Sequence, residues 1–573
     1  MSETDLGPKE PAAAVAAEPR GPDTPSEPEP PEAGRAGRRW SRWLVIAVPM
    51  AVSAVTGGYE IGSPSFWRDE AYTKDAIGRP VGQIFALLGH HDAVHGAYYL
   101  LMHVIAGVIG TSATALRLPS LGAMVIAAGF TAATARRAAA LVWLPSPAPA
   151  GTAPGRRLDV PALTGLLSGL LFATAPYMTY YAQMARSYAL ETMFATIATY
   201  LLLRAWPDGR WRWWLGYGAA VALTGLLNIF GLLILAAHGV TLLLTPSRGQ
   251  VAAGRQEAAG RRIGRIPLRW LAAAAAAVAV LSPLLVVAAH QQQQIGWLSR
   301  PNYKAIERLV STTAGSKDLV VPVALLALGG LVAACFADRW RPLNPAAVAL
   351  PWLVMPPFLL IAASFVKPVY YVRYVEFCLP ALAIVAGAGL TGLIRLAART
   401  PLGRLRPAGL GPAGLGWAWL PAALVIAVLA ALLAGPQYAI RQNAARPDNL
   451  RRASAIVAAQ EQPGDVVFYI PSGMRVLGTG YPAPFLRLRD IAAAESPAAS
   501  ATLTGTEITG AAELKRRFTG ARRVWVVTGA ANYAFPAPST RMDKEKMALI
   551  AGAGLHIIDR WQAGEVMLTL YGP

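Results

Sequence analysis

The chain has 573 residues, 54% of them hydrophobic and only 15% charged, which excludes an ordinary soluble enzyme and indicates a polytopic membrane protein. The formal net charge of +20 would suit a nucleic-acid binder, but the basic residues stand in short clusters between apolar runs. Anionic lipid and membrane topogenesis account for such clusters, so nucleic acid is not an expected partner.

In chain order, residues 1–40 mix Pro, Ala, Glu and Gly with almost no aliphatic patterning and are predicted to be a disordered cytoplasmic tail. They lack the short apolar core and cleavage site of a secretory signal. Apolar runs then predict about eleven transmembrane helices, at 43–59, 118–135, 160–181, 187–203, 213–227, 231–244, 270–289, 319–336, 346–365, 375–394 and 417–435. The apolar run 97–110 is only 14 residues long and reads as interfacial or re-entrant. Cys335 and Cys378, the two cysteines, fall inside apolar segments and suggest neither a disulfide framework nor a thiolate metal site.

With the N-terminus in the cytoplasm of a plasma (cytoplasmic) membrane, the inner loops together with Arg35, Arg38, Arg39 and Arg42 hold 23 Lys and Arg against 11 in the outer loops. That agrees with the positive-inside rule, and counting 97–110 as a span would invert every later loop. The expected organisation is a tail at 1–40, a transmembrane domain at 41–436 with its first outer loop at 60–117, and an extracytoplasmic domain at 437–573. In this last part the β-like runs "GDVVFYI", "RRVWVVTG", "LHIIDRW" and "EVMLTLY" alternate with helix-like stretches near 453–460, 511–518 and 541–551, the pattern of a small α/β domain. It contains no GxGxxG, P-loop or serine-elbow pattern.

This topology collects the unusual polar residues on the outer face: "WRDEAY" and "GHHDAVHGAYY" in the first outer loop, Arg117, "YYAQMARSYALE", and "KPVYYVRYVE". Asp69 and Glu70 are adjacent, so on a helix they differ by about 100 degrees and cannot both point at one atom. One of them can serve as general base toward an acceptor hydroxyl attacking a sugar carbon while its neighbour fixes the loop. The competing reading is a solvated patch of Arg68, Asp69, Glu70 and Lys74, whose pairs are worth at most about 1 kcal/mol. Arg117, Arg186 and Arg373 each stand at the outer end of an apolar span. A guanidinium at such depth is costly unless it meets an anion or snorkels to headgroups, and three of them with Lys367, flanked by Tyr374, favour a pocket for a lipid-linked phosphate. Glu191 and Glu376 are their expected counter-ions. Asp92 and His95 are expected to bind sugar hydroxyls, on a polar wall with Tyr98, Tyr181, Gln183 and Tyr188; His91, Asp92 and His95 are also the only candidates for part of a divalent-metal site.

Together, "FWRDEAYT", "HDAVHGAYYLLMHVIAGVIGTSATALRLPS", "QMARSYAL" and "VYYVRYVEFCLPAL" resemble the GT-C superfamily of membrane glycosyltransferases, nearest to family 39, the protein O-mannosyltransferase-like members that include actinobacterial mannosyltransferases. The resemblance covers spans one to ten and leaves the C-terminal domain outside it. It implies an α-helical GT-C-like fold and an inverting transfer of a sugar, with mannose the expected one, from a polyprenyl-phosphate-linked donor to a glycan, glycolipid or protein acceptor at the outer membrane face. It assigns Asp69 as base with Glu70 as companion, and places Arg117, Arg186 and Arg373 beside the donor pocket. The chain departs from the "HPPLYY" of many relatives with "HGAYY" at His95–Tyr99. Two other functions fit many spans and outer arginines: a flippase or transporter of lipid-linked sugar, which calls for broken midplane helices and internal symmetry that the sequence does not show, and a non-catalytic envelope assembly protein of the same fold.

Overall fold

The computed structural model describes residues 32–142, 159–245, 266–336, 344–399, 420–530, 538 and 540–573. Most of the predicted tail, 1–31, lies outside the described residues. Helix α1 begins at Glu32, inside the stretch expected to be tail, and runs to Gly58.

Short helices follow in the first loop: α2 (Arg68–Ile77), α3 (Val81–His90) and α4 (Gly96–Ile109). The bundle continues with α5 (Ala113–Val142), α6 (Val160–Thr174), α7 (Pro176–Ala182), α8 (Tyr188–Asp208), α9 (Trp211–Leu227), α10 (Ile234–Leu243) and α11 (Ile266–His290). It is completed by α12 (Tyr303–Ala314), α13 (Val320–Phe336), α14 (Pro345–Val366), α15 (Leu379–Arg399), which a 3₁₀ turn at Val372–Cys378 precedes, and α16 (Leu420–Ala439).

Among the described residues, four stretches, Ala113–Leu141, Ile266–His290, Pro345–Val366 and Val372–Arg399, are long and apolar enough to cross a membrane, and the pair α6–α7, bent by 63° around Ala175, makes a fifth. Pro176 explains the bend, because its ring and missing N–H break the ladder at that point. Several other predicted spans are shorter apolar helices, among them Trp43–Gly58, Ile229–Leu243, Val320–Ala333 and Ala423–Ala439. Two of these stretches belong to longer helices, α1 with 27 residues and α16 with 20, which at 1.5 Å per residue reach about 40 and 30 Å. The chain is a helical membrane protein, and the four or five spans counted among its described residues are fewer than the eleven expected. The run left out of the count, 97–110, is the short helix α4.

Small residues bring helices into backbone contact. A Cβ on Gly389 of α15 would lie 1.9 Å from the Leu326 carbonyl oxygen of α13, and one on Gly330 would lie 2.1 Å from that of Val385. Only glycine permits that approach, the usual device where lipid supplies no hydrophobic drive between helices.

After α16 the chain forms an α/β lobe with α17 (Leu450–Gln460), β1 (Val466–Ile470), α18 (Val476–Gly480), β2 (Arg489–Asp490), β3 (Ala493–Glu495) and β4 (Thr506–Glu507). It ends with α19 (Ala511–Phe518), β5 (Val524–Gly529), α20 (Arg541–Gly552), β6 (His556–Ala563) and β7 (Val566–Gly572). The main sheet has the order β2-β1-β5-β7-β6, with β1 parallel to both its neighbours and β7 antiparallel to β5 and β6. Strand β1 is buried at every position, as expected for a parallel strand covered on both faces. One apolar cluster joins Phe66, Trp67 and Ala71 of the first loop, Tyr181 and Tyr188 of the bundle, and Leu450, Tyr469, Trp525 and Leu568 of the lobe. The lobe thus shares its core with the loop that carries Asp69 and Glu70.

Candidate functional site

Helix α2 opens with Arg68, Asp69 and Glu70, and its two acids sit where the helix dipole favours negative charge. The 100-degree step between them sends the two carboxylates to different surroundings.

Glu70 turns inward. Its Oε1 accepts from Arg117 Nε at 2.8 Å and from the Ala185 amide at 2.9 Å, and its Oε2 accepts from Arg117 Nη2 at 2.8 Å. Arg117 also donates to the carbonyls of Ile61 and Pro64, both at 2.9 Å, and of Ser65 at 3.2 Å. All five guanidinium N–H groups are thereby used, and both side chains are 0% exposed. Arg117 has no donor left for a phosphate, and Glu70 has no access to a substrate proton. The pair staples the first loop to α5 and to the α7–α8 turn, the loop-fixing part that one of the two acids was expected to take.

Asp69 faces the other way. Its Oδ2 accepts from Arg373 Nη1 at 2.6 Å, and the two side chains keep 15% and 16% exposure. Arg373 lies over the rings of Tyr371, Trp67 and Tyr374, at 4.6, 5.6 and 6.0 Å. Arg186 packs alongside: Nη2 contacts His95 Nε2 at 2.6 Å, and Nη1 makes longer contacts to the Asp69 carbonyl, Thr73 Oγ1 and the Tyr99 hydroxyl. Burial, with Arg186 and then Arg373 nearby, holds His95 well below its ordinary pKa. His95 is therefore neutral, its Nε2 accepts from Arg186, and Nδ1 carries the proton. Tyr99 donates to Asp92 Oδ2 at 2.8 Å. Asp69, Arg186, Arg373, His95 and Tyr374 are thus brought together, and Tyr188 is buried beside Tyr181 with ring centroids 5.5 Å apart.

Other expected members stand elsewhere. Lys367 is exposed, and among the described residues no hydrogen bond or ion pair joins it to this cluster. Gln183 donates to the carbonyls of Gly57 and Tyr59, at 3.0 and 2.8 Å, and so brackets the end of α1. Tyr98 is 1% exposed, and the Tyr181 hydroxyl is paired with that of Tyr177 at 2.8 Å. Asp92 is engaged by Tyr99, and the His91 ring faces Gln294. With His95 against Arg186, the three metal candidates do not converge, and among the described residues no group of three or more His, Cys, Asp or Glu is arranged to hold an ion. Glu191 accepts from Asn228 at 2.9 Å instead of an arginine. Among the described residues no ion pair joins it or Glu376 to Arg186 or Arg373.

Four features escaped the sequence reading. Arg68 pairs with Asp448 and Glu565 of the lobe at 2.9 and 2.5 Å. Arg446, buried, donates to the Gln183 and Tyr180 carbonyls and stacks 3.9 Å from the Tyr180 ring. Trp67 and Tyr371 frame the Arg373 guanidinium, and both lie inside quoted motifs, "FWRDEAYT" and "KPVYYVRYVE". Beyond Tyr371 lies a cavity of about 210 Å³ lined by Arg300, Lys304, Arg308, Trp297 and Tyr370.

No protein-family model matches the chain, and no curated protein matches it. Among solved structures it is similar to ArnT from Cupriavidus metallidurans. The apo form matches at 15% identity over 93% of this chain and 98% of that one, with a TM-score of 0.51. The fold is ArnT-like. The same protein bound to undecaprenyl phosphate matches at 14% identity, 92% and 97% coverage and a TM-score of 0.51. An oligosaccharyltransferase from Archaeoglobus fulgidus is similar more loosely, at 11% identity, 86% and 70% coverage and a TM-score of 0.48.

Proposed function

We propose that this chain is a membrane glycosyltransferase that moves a sugar from a polyprenyl-phosphate donor to an acceptor hydroxyl, with Asp69 as general base. The observation that carries the proposal is the division between the two neighbouring acids: Glu70 is sealed against Arg117 at 0% exposure, while Asp69 stays partly open against Arg373 at the rim of an aromatic frame. The ArnT structure with undecaprenyl phosphate bound supports a lipid phosphate as the ligand for this fold.

In the scheme, the donor phosphate competes with Asp69 for the Arg373 guanidinium, since both are oxyanions that its N–H groups can grip. Release of Asp69 leaves a carboxylate free to accept the acceptor O–H proton. The acceptor oxygen attacks the anomeric carbon from the face opposite the phosphate, the C1–O(phosphate) bond breaks through an oxocarbenium-like state, and the configuration inverts. The bond electrons leave with the polyprenyl phosphate, whose charge Arg373 and Arg186 stabilise. Arg300, Lys304 and Arg308 beyond Tyr371 add positive potential on the same side. The sequence resemblance favours mannose as the sugar, a plasma-membrane location with the site and the C-terminal lobe on the extracytoplasmic side, and a glycan, glycolipid or protein as acceptor. No step calls on a metal, because the residues that would hold one are bonded elsewhere.

The test is transfer of labelled sugar from polyprenyl-phosphate mannose by the purified protein in nanodiscs, with acceptors drawn from envelope extract. Asp69→Asn is expected to lower turnover by about 10²–10⁴-fold, the usual contribution of a positioned base, with polyprenyl phosphate binding retained or tightened. Turnover within threefold of the parent would remove Asp69 from the role. No label leaving the donor with the parent protein would favour the non-catalytic reading.

A further inference from the structure

Helix α2 lacks a cap of its own. Its N-cap residue Trp67 is extended (φ −121, ψ 174) and makes no side-chain capping bond. The first-turn amides of a helix need an acceptor wherever water is excluded, and one is supplied from 380 residues away. Asp448, 0% exposed, accepts the Arg68 backbone N–H through Oδ2 at 3.0 Å, the Arg68 Nε at 2.9 Å, and Nη2 through Oδ1 at 3.3 Å. A carboxylate here satisfies an orphan amide, complements the helix dipole and fixes the fork of Arg68 in one contact.

The loop that carries Asp448 is itself held. The Glu565 amide donates to the Pro447 carbonyl at 2.8 Å, the Asn449 amide donates to the Ala563 carbonyl at 3.3 Å, and Asp448 forms an isolated bridge to Gly564, at the β6–β7 turn. Further along α2, Lys74 Nζ donates to the Gly480 carbonyl at 2.8 Å and Thr479 Oγ1 donates to that of Ala71 at 3.3 Å. The lobe thus grips α2 at its first turn and along its length, and Asp69 is the residue directly after the gripped amide.

We infer that Asp448 is a positioning residue for sugar transfer: by capping α2 from the C-terminal lobe it fixes the direction in which Asp69 presents its carboxylate. This rests on the reading of Asp69 as base. A misplacement of about 1 Å in a catalytic group costs on the order of 10²-fold in rate, so the cap acts on kcat and leaves the phosphate site, held by Arg373 from the other side, as it was.

The experiment compares Asp448→Ala, Asp448→Asn and Arg68→Lys with the parent in the nanodisc transfer assay, with Asp69→Asn in parallel. Asp448→Ala is expected to lower kcat about 10–100-fold with donor KM within about threefold. Asp448→Asn, whose amide oxygen still accepts the Arg68 N–H, is expected to recover most of that loss, and Arg68→Lys, which keeps the charge and the amide but loses the fork, to fall between them. A folded Asp448→Ala with kcat within twofold of the parent overturns the inference, as does a kcat loss that Asn fails to recover. If the alanine variant does not fold, unchanged kcat in both Asp448→Asn and Arg68→Lys overturns it. Retained turnover in Asp69→Asn instead overturns the base assignment, which separates the two failures.

Discussion

Replacing Glu70 by Gln tests the division of labour between the two acids most directly. Glu70 and Arg117 are both 0% exposed, and the carboxylate takes two N–H bonds from the guanidinium and one from the Ala185 amide. The amide keeps the shape but removes the charge and turns one acceptor into a donor that faces Arg117. Breaking a buried pair from one side costs about 3–5 kcal/mol, because the remaining charge is left uncompensated. Against a total stability of about 5–15 kcal/mol this is a large fraction. The expected result is a fall of about 3–4 °C in the melting midpoint of the detergent-solubilised protein, with any loss of transfer following the loss of folded protein. Glu70→Gln that melts like the parent yet loses turnover would refute the reasoning and return Glu70 to the chemistry.

Arg373→Ala is expected to weaken binding of polyprenyl phosphate about 10–100-fold by titration, the range for one charged hydrogen-bonding group; Lys367→Ala, at an exposed position outside the cluster, is expected to leave it unchanged, and equal effects would contradict the placement of the phosphate. His95 gives a prediction in pH. Its folded-state pKa is depressed, by burial first and then by Arg186 and Arg373, so the unfolded chain takes up a proton near pH 6.5 that the folded protein does not. Its contribution is absent above about pH 7, and stability declines as pH falls below about 6.5, by up to about 1.4 kcal/mol per unit. His95→Gln is expected to remove that one-proton slope in melts taken from pH 7.5 to 5, and superimposable slopes would contradict a buried neutral imidazole.

Much of the site could be read from position alone. Asp69 and Glu70 follow the first apolar run, Arg186 and Arg373 stand at the ends of later ones, and buried charge at such places has few uses. Which acid faces which arginine could not be read, because one residue of helix rotation decides it and the sequence carries no mark of the rotation. Arg117 shows the limit well: its place at the mouth of a span looks like that of Arg373, yet three backbone carbonyls of the first loop occupy it. The α/β lobe was legible from its strand runs, whose β1, β5, β6 and β7 all appear. Its grip on α2 was not, since contacts between Arg68 and Asp448 or Glu565 leave no local pattern.

The contacts between Arg68 and the lobe also set an order of manufacture. Asp448 and Glu565 emerge from the ribosome long after Arg68, and the loop around Asp448 is tied to the turn before the final strand. The first loop must therefore wait, already threaded beside the bilayer, until translation has passed Glu565 before its helix receives both partners. A nascent chain stalled between Ala439 and Glu565 holds every bundle residue of the site and still lacks part of the clamp on the helix bearing Asp69.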